Sequence, residues 1–271
     1  MPELPEVETI KRELEKIIIN KKIVDVIVNN PKVIRGISEK KFIQELKNVK
    51  IKNIIRKGKL LIFGLNSGKY LTVHLKMTGQ LIYPRLGEVS QGKITRVSFK
   101  FSDKKIMDFN DLRLFGELKI VDDWGELKFI QELGPEPFEI NAKQFKELLK
   151  NRKTKIKVLL MDQKFISGIG NLYANETLFK AKIDPRRPAN KLSNKEKELL
   201  FKEIKNILSK AIKYGGSSVD DYVRVSGNKG DYVKYLQVYD RAGEKCFRCK
   251  GIIKRIALSG RGTYFCPNCQ K

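Results

Sequence analysis

Nowhere in the 271 residues is there an uninterrupted apolar run of the roughly 18 needed to cross a bilayer, so no membrane span is expected. The opening segment, MPELPEVETIKRELEK, lacks the apolar stretch of a secretory leader. The expected location is therefore intracellular, in the cytoplasm, where thiols stay reduced. Cysteine is scarce and confined: all four lie between positions 246 and 269, which argues against a disulfide framework. No internal repeat or low-complexity block is present. Acidic residues are also few beside the basic ones.

That last shortage is the strongest bulk signal. Lys and Arg total 56 against 31 Asp and Glu, a formal net charge of +25. Such an excess attracts polyanions at long range, and nucleic acid is the natural partner. Hydrophobic residues make up 41% of the chain, enough for a core in each of two domains.

The first segment reads as a helix. Pro5 suits an early helical position, Glu6 and Glu8 favour the positive end of the dipole, and Val7, Ile10, Leu14 and Ile17 form an apolar stripe. Strand-like runs follow at 23–28, 49–55, 60–65, 70–75, 97–101 and 116–121, many of them separated by turn residues. No helical pattern of crossover length lies between them, so the sheet is expected to be antiparallel. The texture changes at Leu133-Gly134-Pro135-Glu136-Pro137, a linker signal. Helices are expected near 142–150, 154–163, 171–180 and 193–214. Ser193 and Glu196 pair as a capping box for the last, and Gly215-Gly216 stops it. Leu199, Leu200, Ile204, Ile207, Leu208, Ala211 and Ile212 trace its apolar face. Residues 217–235, rich in Ser, Gly, Asp and Tyr, read as a mobile loop.

Cys246-x2-Cys249 and Cys266-x2-Cys269 enclose sixteen residues, a zinc-site spacing. Four thiolates complete a tetrahedral Zn²⁺, so one structural zinc per chain is expected. Between the knuckles a β-hairpin is expected, with Arg261 at its tip. Alone, such an arginine is more often a solvated charge. On a zinc hairpin in so basic a chain, a phosphate contact is favoured.

Pro2 follows the initiator Met. Removing Met1 would expose a secondary amine whose pKa lies far below that of a lysine, leaving a neutral, nucleophilic fraction near neutral pH. Glu3 and Glu6 stand near enough in sequence to move protons. Ordinary helix-start chemistry explains the same residues, and these residues alone favour it.

The string PELPEVET, Pro2 to Thr9, resembles the opening of the formamidopyrimidine-DNA glycosylase family. LGPEP at 133–137, GIGNLYANE at 168–176, LQVYDRAGEKC at 236–246 and the C-terminal CFRC…GRGTYFCPNCQK are similar to that family in the same order. Leu4 in the opening favours this family over the related endonuclease for oxidised pyrimidines. The resemblance implies an α+β fold: an N-terminal helix on an antiparallel β-sandwich (1–132), then a helix-two-turn-helix domain with a lesion-capping loop (133–235), then a zinc finger (236–271). It implies a monomer that excises oxidised purines such as 8-oxoguanine and formamidopyrimidines from double-stranded DNA, acts at abasic sites, and cuts the strand by β,δ-elimination. The location implied is bacterial-type and nucleoid-associated.

Roles follow residue by residue. Pro2 resembles the Schiff-base nucleophile, Glu3 the proton donor, Glu6 a supporting carboxylate, and Lys59 the lysine that contacts phosphate and assists elimination. Arg261 matches the finger arginine. Asn171 matches a phosphate-binding asparagine, though a plain N-cap is its local reading. His74, the single histidine, lies in HLKMTG, similar to a phosphate-contacting motif. Met77, Arg113 and Phe115 match three residues that fill the void left by an everted base, although Met77 and Phe115 alone would read as core. Ser217 and Ser218 are candidate lesion contacts. Two departures stand out. Ile94 replaces a phosphate-contacting histidine, with Arg96 as a compensating contact, and Leu114 replaces a second arginine. Arg152 is counted among the DNA-contacting residues. The rival readings are a basic zinc-finger binding protein without chemistry, and a sister enzyme for oxidised pyrimidines.

Overall fold

The computed structural model describes residues 1–85 and 93–271. It opens on α1 (Leu4–Ile18), with Glu3 as N-cap and Pro5 in the first turn. Leu4, Val7, Ile10, Leu14 and Ile18 are fully buried along it. The stripe closes on Ile18, not on the expected Ile17, which is exposed. Ile18 lies only about 20° around the helix from the buried Val7, whereas Ile17 lies about 80° from it, at the edge of the stripe.

Two four-stranded antiparallel sheets follow. One has the order β1 (Ile23–Val28), β6 (Thr95–Phe101), β7 (Ile106–Asp111), β5 (Gly79–Arg85). The other runs β2 (Ile51–Lys57), β3 (Leu60–Leu65), β4 (Tyr70–His74), β8 (Glu117–Val121). Side chains from both, including Phe63, Val73, Phe99, Phe101 and Phe109, share one core with Val7, Ile10 and Leu14 of α1. Each such burial contributes about 1.5–3 kcal/mol, and α1 is thereby held on the sheets. A short helix, α2 (Glu39–Leu46), packs on this core through Phe42 and Leu46, and α3 (Lys128–Gln131) follows β8. Sequence periodicity misses β5 and β7. Gly79 and Pro84 interrupt the first. In the second, Asp108 and Asp111 look like turn residues but are buried, with the Ser98 hydroxyl donating to Asp108 at 2.5 Å.

The chain divides into two compact units. The first is 1–131 with 212–233; the second is 132–211 with 234–271. The first boundary follows Gln131, two residues before Leu133. Residues 212–233, assigned from sequence to the second part, belong with the first, because Tyr222 and Val225 enter the sandwich core.

The second unit contains α4 (Ala142–Leu149), α5 (Ile156–Met161), α6 (Asn171–Lys180) and most of α7 (Asn194–Lys213). Ser193 and Glu196 exchange the expected capping bonds at 3.2 and 2.7 Å. Leu199, expected on the apolar face of α7, is exposed. The chain ends in the hairpin β9 (Lys254–Leu258) and β10 (Arg261–Phe265). Ser259 and Gly260, both at positive φ, make its two-residue turn.

Candidate active site and nucleic-acid interface

The start of α1 is packed rather than frayed. Pro2 is buried, and Glu3 and Glu6 are 4% and 3% exposed. The Glu6 carboxylate accepts from the Glu3 N–H at 2.8 Å and from the Ser217 N–H at 2.9 Å. One carboxylate thus ties the chain start to the loop after α7. Only glycine fits at 216: its φ is +80°, and a Cβ there would lie 2.9 Å from both Glu6 Oε1 and the Tyr222 ring.

Glu13, about two turns further along the same face of α1 as Glu6, accepts from the Arg224 guanidinium at 2.6 Å and from the Val225 N–H at 3.0 Å. The Tyr83 N–H donates to the Val225 carbonyl. The Tyr222 hydroxyl donates to the Gly215 carbonyl, and burial, with the Glu6 and Glu13 charges, pushes its pKa well up. The segment read from sequence as mobile is therefore bonded to α1 and β5. Of the two candidate serines, the Ser218 hydroxyl accepts from the Gly230 N–H. The buried Ser217 hydroxyl has no partner among the described residues.

Lys59 is 6% exposed in the turn between β2 and β3, strands that pack against α1. It lies close enough to His74 to help depress that group. Burial first, then the charges of Lys76, Lys59 and Lys119, push the His74 pKa down to about 3. His74 Nδ1 accepts from the Lys76 N–H at 3.0 Å, which leaves the proton on Nε2. A neutral Nε2–H can donate a hydrogen bond without carrying a charge of its own. The ring lines a cavity of about 200 Å³ with Thr72, Lys119 and Phe129.

Met77, Arg113 and Phe115, distant in sequence, form one exposed cluster. Arg113 Nη1 donates to Met77 Sδ at 3.3 Å, and its guanidinium stands 4.7 Å from the Phe115 ring centre. Met77 is 37% exposed and Phe115 48%, so neither is core. Arg96 is oriented by donating to the Asp111 carbonyl at 2.7 Å. Ile94 is exposed, while Leu114 has φ +58° and packs its side chain on the sandwich core.

In the second unit, Asn171 opens α6, but Gly170 is the N-cap, so the plain capping role is not its own. Its Oδ1 accepts from Lys157 Nζ at 2.6 Å. The same ammonium, 1% exposed, donates to the Gly262 carbonyl at 3.0 Å and to Thr263 Oγ1 at 2.7 Å. One buried lysine therefore joins the start of α6 to the strand that begins with the exposed Arg261. Sequence reasoning missed it, since IKVLL reads as a helix with a solvated lysine. It also missed Glu176, whose buried carboxylate accepts from the N–H groups of Gln237, Val238 and Tyr239. Burial raises its pKa against those bonds. Arg152 is exposed on the connection between α4 and α5.

The sulfur atoms of Cys246, Cys249, Cys266 and Cys269 all lie within 4.8 Å of one another. Cys246 and Cys269 are 3.9 Å apart, Cys249 and Cys266 3.5 Å. These exceed a disulfide bond and match the edge of about 3.8 Å that a ZnS₄ tetrahedron requires. The donor set fits one structural Zn²⁺.

Three family descriptions match in chain order: formamidopyrimidine-DNA glycosylase N-terminal domain over 1–118, its H2TH domain over 133–223, and the zinc finger found in FPG and IleRS over 243–271. The chain belongs to the formamidopyrimidine-DNA glycosylase family. A member from Desulfitobacterium hafniense is 40% identical over 274 residues, covering all of both chains. A Lactococcus lactis FPG variant in complex with DNA containing Fapy-dG is 37% identical, with a TM-score of 0.93 and full coverage of both chains. Complexes of the same Lactococcus lactis protein with DNA containing an oxidised pyrimidine or an abasic site are also 37% identical, each with a TM-score of 0.92. Coverage is 100% of both chains for the first and 99% for the second. Among the described residues no helix is long and apolar enough to cross a membrane.

Proposed function

We propose that this chain is a bifunctional DNA glycosylase of base excision repair, acting on oxidised purines in double-stranded DNA and on abasic sites. The observation that carries the reading is a buried Pro2-Glu3 start, bound through Glu6 to the Ser217 loop, in a chain of this family. The Met1 amine now lies 3.4 Å from Asp220. Removing Met1 transfers the amine to Pro2.

The Pro2 nitrogen attacks C1′ of the everted nucleotide, and the glycosidic bond breaks as the base departs with a proton. Glu3 delivers a proton to O4′ as the sugar ring opens and the N–C1′ bond becomes an iminium. The iminium acidifies C2′; loss of that proton expels the 3′ phosphate. Loss of the C4′ proton in a second elimination expels the 5′ phosphate, and water hydrolyses the iminium to free the Pro2 amine. Lys59, Asn171, His74, Arg96, Arg152 and Arg261 hold backbone phosphates, and Lys59 and Arg261 assist elimination. Met77, Arg113 and Phe115 fill the vacated stack. The zinc takes no chemical part: bound to the four cysteines, it holds the finger in shape. The division of labour is a catalytic part at 1–132 that also holds the capping loop within 212–233, a DNA-gripping part over the remainder of 133–235, and a finger at 236–271. The site of action is the bacterial-type cytoplasm.

Borohydride trapping on duplexes carrying 8-oxoguanine, a formamidopyrimidine or an oxidised pyrimidine tests the reading. Covalent adducts with the two purine lesions are expected, lost in Pro2→Gly, and Glu3→Gln is expected to lose base excision. A full adduct in Pro2→Gly would remove Pro2 as nucleophile. The Lactococcus lactis complex with an oxidised pyrimidine favours a second reading, the pyrimidine-directed sister activity. Preferential trapping of the pyrimidine duplex would select it.

A further inference from the structure

Asp111 is fully buried at the end of β7, yet it is a carboxylate. Its Oδ1 accepts from the Thr78 hydroxyl and from the Arg113 N–H at 3.2 Å, and its Oδ2 accepts from the Gly116 N–H at 2.7 Å. Thr78 Oγ1 in turn accepts from the Arg113 N–H at 3.1 Å. Thr78 adjoins Met77, and residues 113 to 116 carry Arg113 and Phe115. The loop between those anchors turns through Leu114 at φ +58°. Gly116 leaves no room for a side chain: a Cβ there would meet Phe109 at 2.6 Å and Asp111 Oδ2 at 3.0 Å. The Asp111 backbone carbonyl meanwhile orients Arg96.

We infer that Asp111 is the positioning residue of the base-eversion wedge, locking the Met77 loop and the Arg113–Phe115 loop into one rigid unit. The inference rests on the function proposed above. An intercalating wedge must push against a stacked duplex, and unstacking a step costs a few kcal/mol. Loops that yielded separately would not transmit that force. A carboxylate serves because it only accepts, and every group aimed at it here donates. Asparagine at 111 would turn an NH₂ toward one of those donors.

The test uses Asp111→Asn, Thr78→Val and the conservative Thr78→Ser in the full-length, zinc-loaded protein. Single-turnover borohydride trapping is measured on a duplex carrying 8-oxoguanine and on a single strand carrying an abasic site, which needs no eversion. The readout is the ratio of the two rates. Losing about 1.4 kcal/mol of wedge order predicts a ratio about tenfold lower in Asp111→Asn. Thr78→Val should lower it in the same direction, and Thr78→Ser should restore it. Fluorescence of 2-aminopurine opposite the lesion should report slower unstacking in step with the ratio. A ratio unchanged in both Asp111→Asn and Thr78→Val overturns the inference, as does an equal loss on both substrates. If Asp111→Asn does not fold, the Thr78 pair decides alone. Parent protein that traps neither substrate would instead refute the proposed function.

Discussion

Replacing Glu6 with alanine removes the acceptor of two buried backbone donors, the N–H groups of Glu3 and Ser217, at 2.8 and 2.9 Å. A buried donor left unpaired costs about 1–3 kcal/mol, so Glu6→Ala should cost about 2–6 kcal/mol, with about 4 as the working figure. Glutamine keeps one acceptor oxygen and turns an NH₂ toward the second donor, which places Glu6→Gln near 2 kcal/mol. Against a domain stability of about 5–15 kcal/mol, either loss is measurable but need not unfold the chain. Urea denaturation reads the total. Hydrogen–deuterium exchange of the peptides covering 1–8 and 214–219 reads where it falls, and both segments should exchange faster together. Base excision should fall with them, because the nucleophile and the loop lose a shared anchor. An alanine variant within about 0.5 kcal/mol of the parent, with unchanged exchange in both peptides, would refute the reasoning.

His74 should stay neutral at pH 5, as an NMR titration can show without ambiguity because the chain has one histidine. Its folded pKa of about 3 lies below the ordinary 6.5, so the unfolded chain takes up the proton first. Stability is therefore whole above pH 6.5 and falls toward pH 3, by up to about 1.4 kcal/mol per pH unit from this group. A titration midpoint near 6.5 would contradict the buried, lysine-flanked setting. Metal analysis should give one zinc per chain. Chelation should loosen the hairpin bearing Arg261 and weaken DNA binding; an active protein free of zinc would rule out the structural role.

Much of the architecture is legible in the sequence because its signals are local. The α1 stripe, the β3 run, the Ser193–Glu196 capping pair and the knuckle spacing each follow from neighbours a few residues apart. β5 and β7 are less legible. Their Gly, Pro and Asp residues carry turn signals that burial and cross-strand bonds override.

The candidate site divides in the same way. Motif order alone was enough to nominate Pro2, Glu3, Lys59, Asn171, Arg261 and the four cysteines. Sequence could not show that Met77, Arg113 and Phe115 touch, that Glu6 holds Ser217 across 211 residues, or that Lys157 joins Asn171 to the finger strand. Nor could it show that Asp111 is a clamp rather than a turn residue. A carboxylate or ammonium looks solvated in a linear string. Its buried partners come from distant segments, and only the folded chain brings them within hydrogen-bond reach.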